Sequence, residues 1–454
     1  MKAVLVNPFQ IRLVGKKGRI YNRTWTPLDL ATSASILRAE GHDVSIVDAN
    51  AEQLTSEATA DRCAGADIVF ITSTSLDRWQ CPHLDLVPFL ETTEAIRRKV
   101  SRLVVMGSHG TVLPVEILKQ TQAEAVVQGE PEGAIQEIAK GALLSAVAGV
   151  TWNGPDGPVS NPPGKGVRMD ELPLPALDLL PMHLYEYEVM GNAFTLFEMS
   201  RGCASECTFC LLDTYGNGVR KQSVDRLTRE IEVAVTQFGV RTAYFIDLEF
   251  TVLRKQVMEL CDWLIERKLP LTWCCQTRFD LVDAEVLEKM KRAGCTLIHF
   301  GVEAGSDRML SKVNKGITMD AIRRGMALTK ESGIRSACFF MIGFPESTQE
   351  DMVDIEEFAK ELAPDYPLFH IAAPYPGTEL HEQVKKDPSL RFSDDSLFPE
   401  AVEGRFSLAD WKRMTRRAYI HYYARPSYVA GRLIKGDFRS LWRQAKLFYN
   451  LVTA

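Results

Sequence analysis

Three cysteines in one short stretch constrain this chain more than any other feature of its sequence. Cys203, Cys207 and Cys210 follow the spacing Cys-x-x-x-Cys-x-x-Cys. The apolar run 194–199 before them is typical of a strand, so the cysteines are predicted on a loop that leaves a strand end. Three thiolates are the ligands of a [4Fe–4S] cluster whose fourth iron stays open to another ligand. The spacing therefore predicts one iron–sulfur cluster on this loop.

Other uses of three cysteines fit this stretch less well. A disulfide framework needs an even number of cysteines and an oxidising compartment, whereas this chain has ten cysteines without a paired framework. A structural zinc site needs a fourth ligand, usually from a second Cys-x-x-Cys or a histidine pair, and the sequence offers none at the required spacing. Three cysteines that only pack within a loop remain the simplest alternative to a cluster.

The cysteine loop resembles the signature of the radical SAM superfamily. The resemblance implies that the open iron binds the amino and carboxylate groups of S-adenosylmethionine (SAM). It also implies that the reduced cluster cleaves SAM to a 5′-deoxyadenosyl radical, with electrons from an external donor of the flavodoxin or ferredoxin type. Cys203, Cys207 and Cys210 are thus the predicted metal ligands.

Composition places the chain among soluble globular proteins of two or three domains. It has 454 residues, of which 46% are hydrophobic and 25% are charged. A net charge of −6 argues against nucleic acid as a partner, and no apolar run is long enough to span a membrane. The start of the chain lacks the features of a signal peptide, and the cysteines suit a reducing compartment. We therefore expect a cytoplasmic protein.

Residues 1–145 alternate strand and helix patterns. Helices are predicted at 28–40 and 92–100, and short apolar strands at 3–6, 42–48, 66–72, 101–106 and 123–127. Short apolar strands separated by helices indicate an α/β fold with a doubly wound, Rossmann-like parallel sheet. Such sheets bind their ligands in the crevice at the carboxyl ends of the strands.

The loops at those strand ends are rich in glycine and small hydroxyl residues, which let a large ligand approach the backbone. No Gly-x-Gly-x-x-Gly follows the first strand, so a dinucleotide fold is disfavoured. Through Asn7-Pro8, Gly41-His42 and the Gly-x-His-x-Thr turn at 107–111, this half resembles the cobalamin-binding domain that precedes the radical SAM domain in one large subgroup. The resemblance implies cobalamin contacts from Ser73, Arg78, Gly107, Ser108, His109, Thr111, Gly129 and Glu130.

This half departs from other cobalamin proteins in one respect. It lacks the Asp-x-His-x-x-Gly motif that supplies a histidine to the lower face of cobalt. We therefore expect a lower face without a histidine ligand, covered by the loop 76–79. Taken alone, His109 fits an ordinary loop histidine equally well.

The rest of the chain is predicted to form three further regions. Dense Gly and Pro turn signals predict a linker at 146–188. Residues 189–389 repeat strand and helix patterns about six times, which predicts a partial, open (β/α)6 radical SAM barrel with its chemistry at the strand carboxyl ends. Residues 390–454 are predicted as a small helical region, with helices at 408–423 and 432–449 that either cover substrate or pack on the barrel.

Polar residues follow the predicted barrel strands. The resemblance implies that Asp247 and Glu249 hold the methionine amino group of SAM, that Arg278 pairs with its carboxylate, and that Glu303 accepts from its ribose hydroxyls. Gln276 and Gly343 complete the predicted SAM site, Gly343 on the adenine side. The alternative for each charged residue is a salt bridge at the barrel rim. Three further cysteines lie in apolar strands and are predicted to pack in the core: Cys274, Cys275 and Cys338.

The two halves together resemble cobalamin-dependent radical SAM enzymes. We expect a methyltransferase that acts on an unactivated carbon of a small-molecule or natural-product substrate, in which one SAM methylates cobalamin and a second yields the radical. A radical cyclase or rearrangement enzyme like the anaerobic porphyrin ring cyclase is the first alternative. A non-catalytic cobalamin sensor is disfavoured by the intact cysteine triad. A methylthiolating tRNA enzyme would want three more cysteines in the N-terminal half, which has only Cys63 and Cys81.

Overall fold

A seven-stranded sheet forms the first part of the chain. The computed structural model describes residues 1–10, 12–14, 19–21, 23–216, 218–428 and 430. The strands of the sheet are β1 (Lys2–Asn7), β2 (Asp43–Asp48), β3 (Ile68–Thr72), β4 (Leu103–Met106), β5 (Ala125–Val127), β6 (Val150–Gly154) and β7 (Gly157–Ser160). Their order is β2-β1-β3-β4-β5-β6-β7, and β1 to β5 run parallel. The predicted doubly wound sheet is thereby confirmed.

Both faces of this sheet are covered, as its apolar strands require. Side chains alternate between the faces of a strand, so Ala3 and Leu5 of β1 join one core, whereas Val4 and Val6 join another. The first of these cores continues into the second half of the chain. The covering helices are α1 (Leu28–Ala39), α2 (Ala49–Glu52), α3 (Ser56–Cys63), α4 (Val87–Arg97), α5 (Ser108–Val112), α6 (Pro114–Thr121) and α7 (Glu132–Ala139).

The segment predicted as a linker contains the last two strands of the first sheet. β6 pairs antiparallel with β5, and β7 pairs antiparallel with β6. The turn signals of Gly154-Pro-Asp-Gly157 close this hairpin, with Gly157 at a φ of +123°. Turn residues mark a hairpin and an interdomain linker alike, and the buried Val150 and Thr151 favour the hairpin. The linker prediction thus missed an edge of the first sheet.

The second part is a parallel sheet of six strands in chain order: β8 (Phe194–Phe197), β9 (Thr242–Phe245), β10 (Thr272–Thr277), β11 (Cys295–Glu303), β12 (Arg335–Ile342) and β13 (Tyr366–Ile371). This sheet confirms the partial (β/α)6 barrel. Cys274, Cys275 and Cys338 are buried in its core, as predicted. Its helices are α8 (Val224–Gln237), α9 (Arg254–Arg267), α10 (Ala284–Arg292), α11 (Asp307–Lys312), α12 (Met319–Glu331) and α13 (Gln349–Leu362).

Helices α14 (Glu379–Lys386) and α15 (Leu408–Tyr423) follow the barrel. α15 begins with a capping box of Ser407 and Asp410, which explains why its start was predictable. It packs on the outside of the last strand, where the hydroxyl of Tyr419 accepts from the Phe369 N–H at 3.0 Å. The predicted helix 432–449 lies outside the described residues. In the described part of the chain, no helix combines the length and apolar character that a membrane crossing needs.

Four short strand pairs complete the described structure. One of them lies beside the cysteine loop and joins Ser200–Arg201 to Arg220–Lys221. The other three pairs are Arg12–Val14 with Arg19–Tyr21, Glu186–Tyr187 with Gly191–Asn192, and Arg391–Phe392 with Val402–Glu403.

A buried ion network joins the two halves of the chain. The guanidinium of Arg201, two residues before the first cluster cysteine, lies 2.9 Å from Glu198, 2.8 Å from Glu130 and 2.7 Å from Glu132. Its side chain is 2% exposed. Arg220 donates to Glu130 from the other side, at 3.1 Å. Burial opposes the charge of Arg201, but the three carboxylates outweigh this effect and hold its pKa well above the usual value.

Replacing Arg201 by Ala should destabilise the protein strongly, because buried Glu132 and Glu198 lose their positive partner. Breaking a buried pair in this way costs about 3–5 kcal/mol. Arg38→Ala is the matched control, since Arg38 pairs at 2.9 Å with Asp178 where both side chains are about half exposed. Its loss should cost about 1 kcal/mol or less. Urea denaturation of both variants measures the difference, and equal losses would contradict the role of Arg201.

Candidate active site

One serine connects the cysteine loop to the barrel. The Ser205 hydroxyl, between Cys203 and Cys207, donates to Glu249 at 2.8 Å and accepts from Arg278 at 3.1 Å. The Ser205 N–H donates to the sulfur of Cys203 at 3.3 Å. Polar side chains from two barrel strand ends therefore fix the middle of the loop.

The cysteines of the loop suit a cluster better than a single metal ion. Cys203 is buried, whereas Cys207 and Cys210 are partly open. Burial and the neighbouring Glu249 raise the pKa of the Cys203 thiol to about 11, and burial raises that of Cys210 well above its usual value. Within the described residues, no three His, Cys, Asp or Glu side chains are grouped as ligands of one ion. A four-iron cluster takes one thiolate on each of three irons, and the three cysteines of this loop supply that donor set.

Asp247, predicted to hold the SAM amino group, has a different set of partners in the structure. Its carboxylate accepts from the Met199 N–H at 3.0 Å and from the Ser200 hydroxyl at 2.5 Å. The side chain is fully buried, and burial raises its pKa to about 6. Asp247 thus holds the segment that leads into the cysteine loop. Its predicted contact with SAM stays a prediction.

Arg278, predicted to pair with the SAM carboxylate, is already saturated by the protein. It donates to Asp280 at 2.9 Å and to the carbonyls of Lys315 and Gly316 at 2.7 and 3.0 Å, in addition to Ser205. A guanidinium has five N–H donors, and these bonds use them to join three loops. Arg278 therefore braces the site, and its contact with SAM is a prediction that these bonds do not support.

Glu303 forms an ion pair that the sequence did not reveal. Its carboxylate lies 2.9 Å from the ammonium of buried Lys315. Burial lowers the pKa of Lys315, but Glu303 and the thiol of Cys207 outweigh this and raise it. Glu303 itself has a φ of +69°, and a Cβ on Gly301 would lie 2.2 Å from its carboxylate. The positive φ of Glu303 and the glycine required at position 301 indicate a site that is shaped for function. No sequence motif around Lys315 predicted this ion pair.

The two remaining predicted SAM residues also lie at strand ends. Gln276 is the second-to-last residue of β10 and accepts from the Tyr244 hydroxyl at 2.9 Å. Gly343 follows β12 with a φ of +100°, and a Cβ there would lie 3.4 Å from the ring of Trp411 in α15. Gly343 lies at the carboxyl edge of the barrel, whereas Gln276 pairs in register with His299, below the end of β11 at Glu303.

The predicted cobalamin residues line the crevice at the carboxyl ends of β3, β4 and β5. Gly107 has a φ of +104°, and a Cβ on it would lie 2.8 Å from the Ser73 hydroxyl. The Ser108 hydroxyl donates to the carbonyl of Trp79 at 2.9 Å. Thr111 accepts from the Gly129 N–H at 3.0 Å, which ties two loops together. Arg78 lies in the next loop, where its buried Nε has no partner in the described chain.

Two further predicted cobalamin residues, Glu130 and His109, are also engaged by the protein itself. Glu130 belongs to the ion network of Arg201. His109 donates from Nε2 to the His83 carbonyl at 2.7 Å, and its Nδ1 faces the hydroxyls of Thr74 at 2.9 Å and Ser73 at 3.0 Å. Burial lowers the pKa of His109 to about 4, so the ring is neutral. Both ring nitrogens are occupied, which argues against His109 as a cobalt ligand.

The crevice also offers unmatched polar atoms to a large ligand with amide arms. Asp29 and Ser33 share one face of α1, and each has a buried side-chain oxygen without a partner in the described residues. Burial raises the pKa of Asp29 to about 7. The Thr214 hydroxyl is a third such atom, and the Thr214 carbonyl lies 3.5 Å from the position of a Cβ on Gly129. Buried polar groups are rarely left unmatched, so these residues fit a bound cobalamin.

Comparison with known proteins identifies the class. The family model of the radical SAM superfamily matches residues 197–359, and that of the B12 binding domain matches residues 21–139. An uncharacterized methyltransferase of Pyrococcus horikoshii is 32% identical and covers 94% of this chain and 95% of its own length. The chain therefore belongs to the radical SAM superfamily, in the branch that carries a B12-binding domain. The cofactors predicted for such an enzyme, a [4Fe–4S] cluster, SAM and cobalamin, are confirmed.

Two further comparisons bear on the fold and the reaction. The structure of TsrM from Kitasatospora setae with cobalamin and a [4Fe–4S] cluster bound has a TM-score of 0.69 at 19% identity, covering 91% of this chain and 81% of that chain. It confirms the fold. The anaerobic magnesium-protoporphyrin IX monomethyl ester cyclase of Rubrivivax gelatinosus is 27% identical over 79% of this chain and 66% of its own length.

Gly202→Ala should prevent correct assembly of the cysteine loop. Gly202 has a φ of +89°, and its added Cβ would lie 2.1 Å from the carbonyl oxygen of Gly218. Gly216→Ala is the matched control, because Gly216 also has a positive φ of +71° but nothing within 4 Å of an added Cβ. The control carries only the backbone cost of about 1–2 kcal/mol. Iron and sulfide content after anaerobic reconstitution measures the effect, and full loading of Gly202→Ala would refute it.

The Co(II) form of bound cobalamin should show no nitrogen coupling from a protein histidine in its EPR spectrum. Both ring nitrogens of His109 are hydrogen-bonded within the protein, and the neutral ring has no free lone pair for cobalt. Labelling the histidines with ¹⁵N should therefore leave the spectrum unchanged. A change in superhyperfine splitting that disappears in His109→Ala would show that His109 is a lower ligand.

Proposed function

We propose that this enzyme methylates an unactivated carbon of a small-molecule substrate in the cytoplasm, with electrons from a donor of the flavodoxin or ferredoxin type. The ion network of Arg201 carries the proposal, because it holds the strand before the cysteine loop against the Gly129–Glu132 loop of the cobalamin crevice. The radical source and the methyl carrier then share one site. The Pyrococcus horikoshii relative, which matches nearly the whole chain and is named a methyltransferase, supports the same reaction.

The residues of this chain position the reacting groups. When bound, the cluster supplies the electron that cleaves SAM, and cobalamin carries the methyl group. Ser205, Glu249 and Arg278 keep the cysteine loop in one conformation, which fixes the open iron relative to the barrel. The pair of Glu303 and Lys315 adds matched charges beside it, and both side chains are at most 10% exposed. Such burial strengthens their electrostatic effect on a polar ligand.

A radical cyclase or rearrangement enzyme is the second candidate. The observation in its favour is the 27% identity to the Rubrivivax gelatinosus cyclase. Both reactions need the same two domains and the same radical. They differ in whether a methyl group leaves SAM, so the products of SAM distinguish them.

A methyltransferase should form two adenosyl products from SAM. The reduced protein and SAM alone should give S-adenosylhomocysteine in an amount that matches the bound cobalamin, before any substrate is added. With substrate, S-adenosylhomocysteine and 5′-deoxyadenosine should then accumulate in equal amounts. Anaerobic incubation followed by chromatography measures both. Deoxyadenosine at full turnover with S-adenosylhomocysteine at background would instead identify a cyclase or rearrangement enzyme.

A pair of cysteine variants serves as the control for this assay. Cys210→Ala removes one cluster ligand and should abolish deoxyadenosine formation. Cys338→Ala removes a thiol that is fully buried in β12 and should leave it intact. Deoxyadenosine that persists in Cys210→Ala would show a source other than the cluster.

A further inference from the structure

The barrel strands present one accessible face near their carboxyl ends. Near those ends, each of β10 to β13 has at least one partly open or exposed residue on this face, and most of the residues next to it are buried. Residues two apart share a face of a strand, and the strand register aligns these open positions with one another. Helices cover the opposite face, so the open residues line the interior of the barrel, which we call the lumen. They are Gln276, Gly301, Phe339, Met341 and His370.

A chain of hydrogen bonds crosses the wall of the lumen. The ring of His299, which pairs in register with Gln276, lies between two tyrosines. Its Nε2 is 3.1 Å from the Tyr187 hydroxyl, and its Nδ1 is 3.2 Å from the Tyr244 hydroxyl. The Tyr244 hydroxyl in turn donates to Oε1 of Gln276 at 2.9 Å. Because the Tyr244 hydroxyl donates its one proton to Gln276, it accepts from Nδ1 of His299. Nε2 of His299 then accepts from the Tyr187 hydroxyl.

These hydrogen bonds fix the orientation of the Gln276 amide. Its oxygen is held by Tyr244, and its nitrogen has no hydrogen-bond partner in the described part of the chain. The side chain is partly open to the lumen. Gln276 therefore offers unmatched N–H donors, while its oxygen already accepts one hydrogen bond from Tyr244; the free donors suit a ligand that brings a carbonyl oxygen.

The charges around these hydrogen-bonded residues disfavour a charged ligand. Tyr244, Gln276 and His299 do not pair with a carboxylate, and the Glu303 carboxylate beside Gly301 is already paired with Lys315, so an ammonium group would have to compete for a counter-charge. Burial and Arg23 lower the pKa of His299 to about 3, so the ring is neutral. Arg23 itself lies 3.4 Å from Asp77 and 4.2 Å from the ring centre of Trp25. Arg23 is thus already paired with Asp77, and a carboxylate ligand would have to compete with Asp77 for it.

We propose that the lumen binds the substrate of this enzyme through an uncharged carbonyl group, as in an amide or ester, hydrogen-bonded to the amide nitrogen of Gln276. Phe339 and Met341 form the apolar wall beside it and suit a flat ring attached to the carbonyl. The proposal rests on the proposed methyltransferase function, since it describes the substrate of that reaction. Tyr187, His299 and Tyr244 are positioning residues that hold the donor in place.

Three probes that differ only in their polar group test the proposal: 3-phenylpropanamide, 3-phenylpropanoate and 3-phenylpropylamine. Their dissociation constants are measured by saturation-transfer NMR on the full chain, loaded with oxidised cluster, cobalamin and SAM, without reductant. The amide should bind at least about tenfold more tightly than the amine, because only the amide can accept from Gln276. The propanoate should also bind more weakly than the amide. Undetectable amide binding, or tighter binding of the amine or the propanoate, overturns the proposal.

Variants then test the residues. Gln276→Met should weaken amide binding about three- to tenfold, the loss of one hydrogen bond to a neutral acceptor. Tyr244→Phe, which frees the amide to rotate, should weaken it in the same direction. Gln237→Met is the control, because Gln237 is exposed at the end of α8. Weaker SAM binding by Gln276→Met with unchanged amide binding would assign Gln276 to the SAM site and overturn the proposal.

Probe binding requires no turnover, so its failure and the failure of the proposed function are separate results. Absence of S-adenosylhomocysteine in the product assay rejects methyl transfer but leaves amide binding in the lumen measurable. Loss of the amide preference rejects the carbonyl site even where both adenosyl products form in equal amounts.

Discussion

The buried guanidinium of Arg201 is the interaction on which the active site depends. It belongs to the barrel half of the chain, and two of its three carboxylate partners, Glu130 and Glu132, lie in the loop after β5 and at the start of α7 in the first half. A buried charge persists only where it is paired, so neither half can keep its side of this network without the other. The network lies between the cysteine loop and a loop of the cobalamin crevice. The relative position of the two cofactor sites is thus fixed by electrostatics within the protein.

Charged side chains at the edge of the barrel likewise bind to other parts of the protein. Asp247 and Glu249 follow β9, and Arg278 follows the neighbouring β10; each uses its charged group on the cysteine loop or on the segment before it. A short loop with three cysteines has little regular structure of its own, so it needs such bonds to present its sulfurs in one arrangement. Side chains whose charge and position would suit a ligand therefore support the cysteine loop instead.

The fold could be predicted from the sequence more completely than the site. Apolar strands such as β1 and β3 have patterns that do not depend on distant residues, and their bounds were nearly right. The hairpin of β6 and β7 was missed, because a Gly-Pro-Asp-Gly turn looks the same in a linker and at a sheet edge. The partners of Arg278 and Lys315 depend on which loops meet across the barrel. A single sequence carries no such signal. Polar residues at strand ends therefore predict a site, but they do not show which residues contact the ligand and which only support the loops.

The charges of the site are distributed by depth. At the rim, Glu303 pairs with Lys315 and Arg201 lies among three carboxylates, close to the sites of charged cofactors. Deeper in the lumen, the polar groups of His299 and Tyr244 are neutral and already bonded. A charge placed among them would lose its hydration without gaining a partner, whereas an apolar body with one acceptor loses little. The rim therefore suits ionic cofactors, and the lumen excludes them from the space that a neutral substrate would fill.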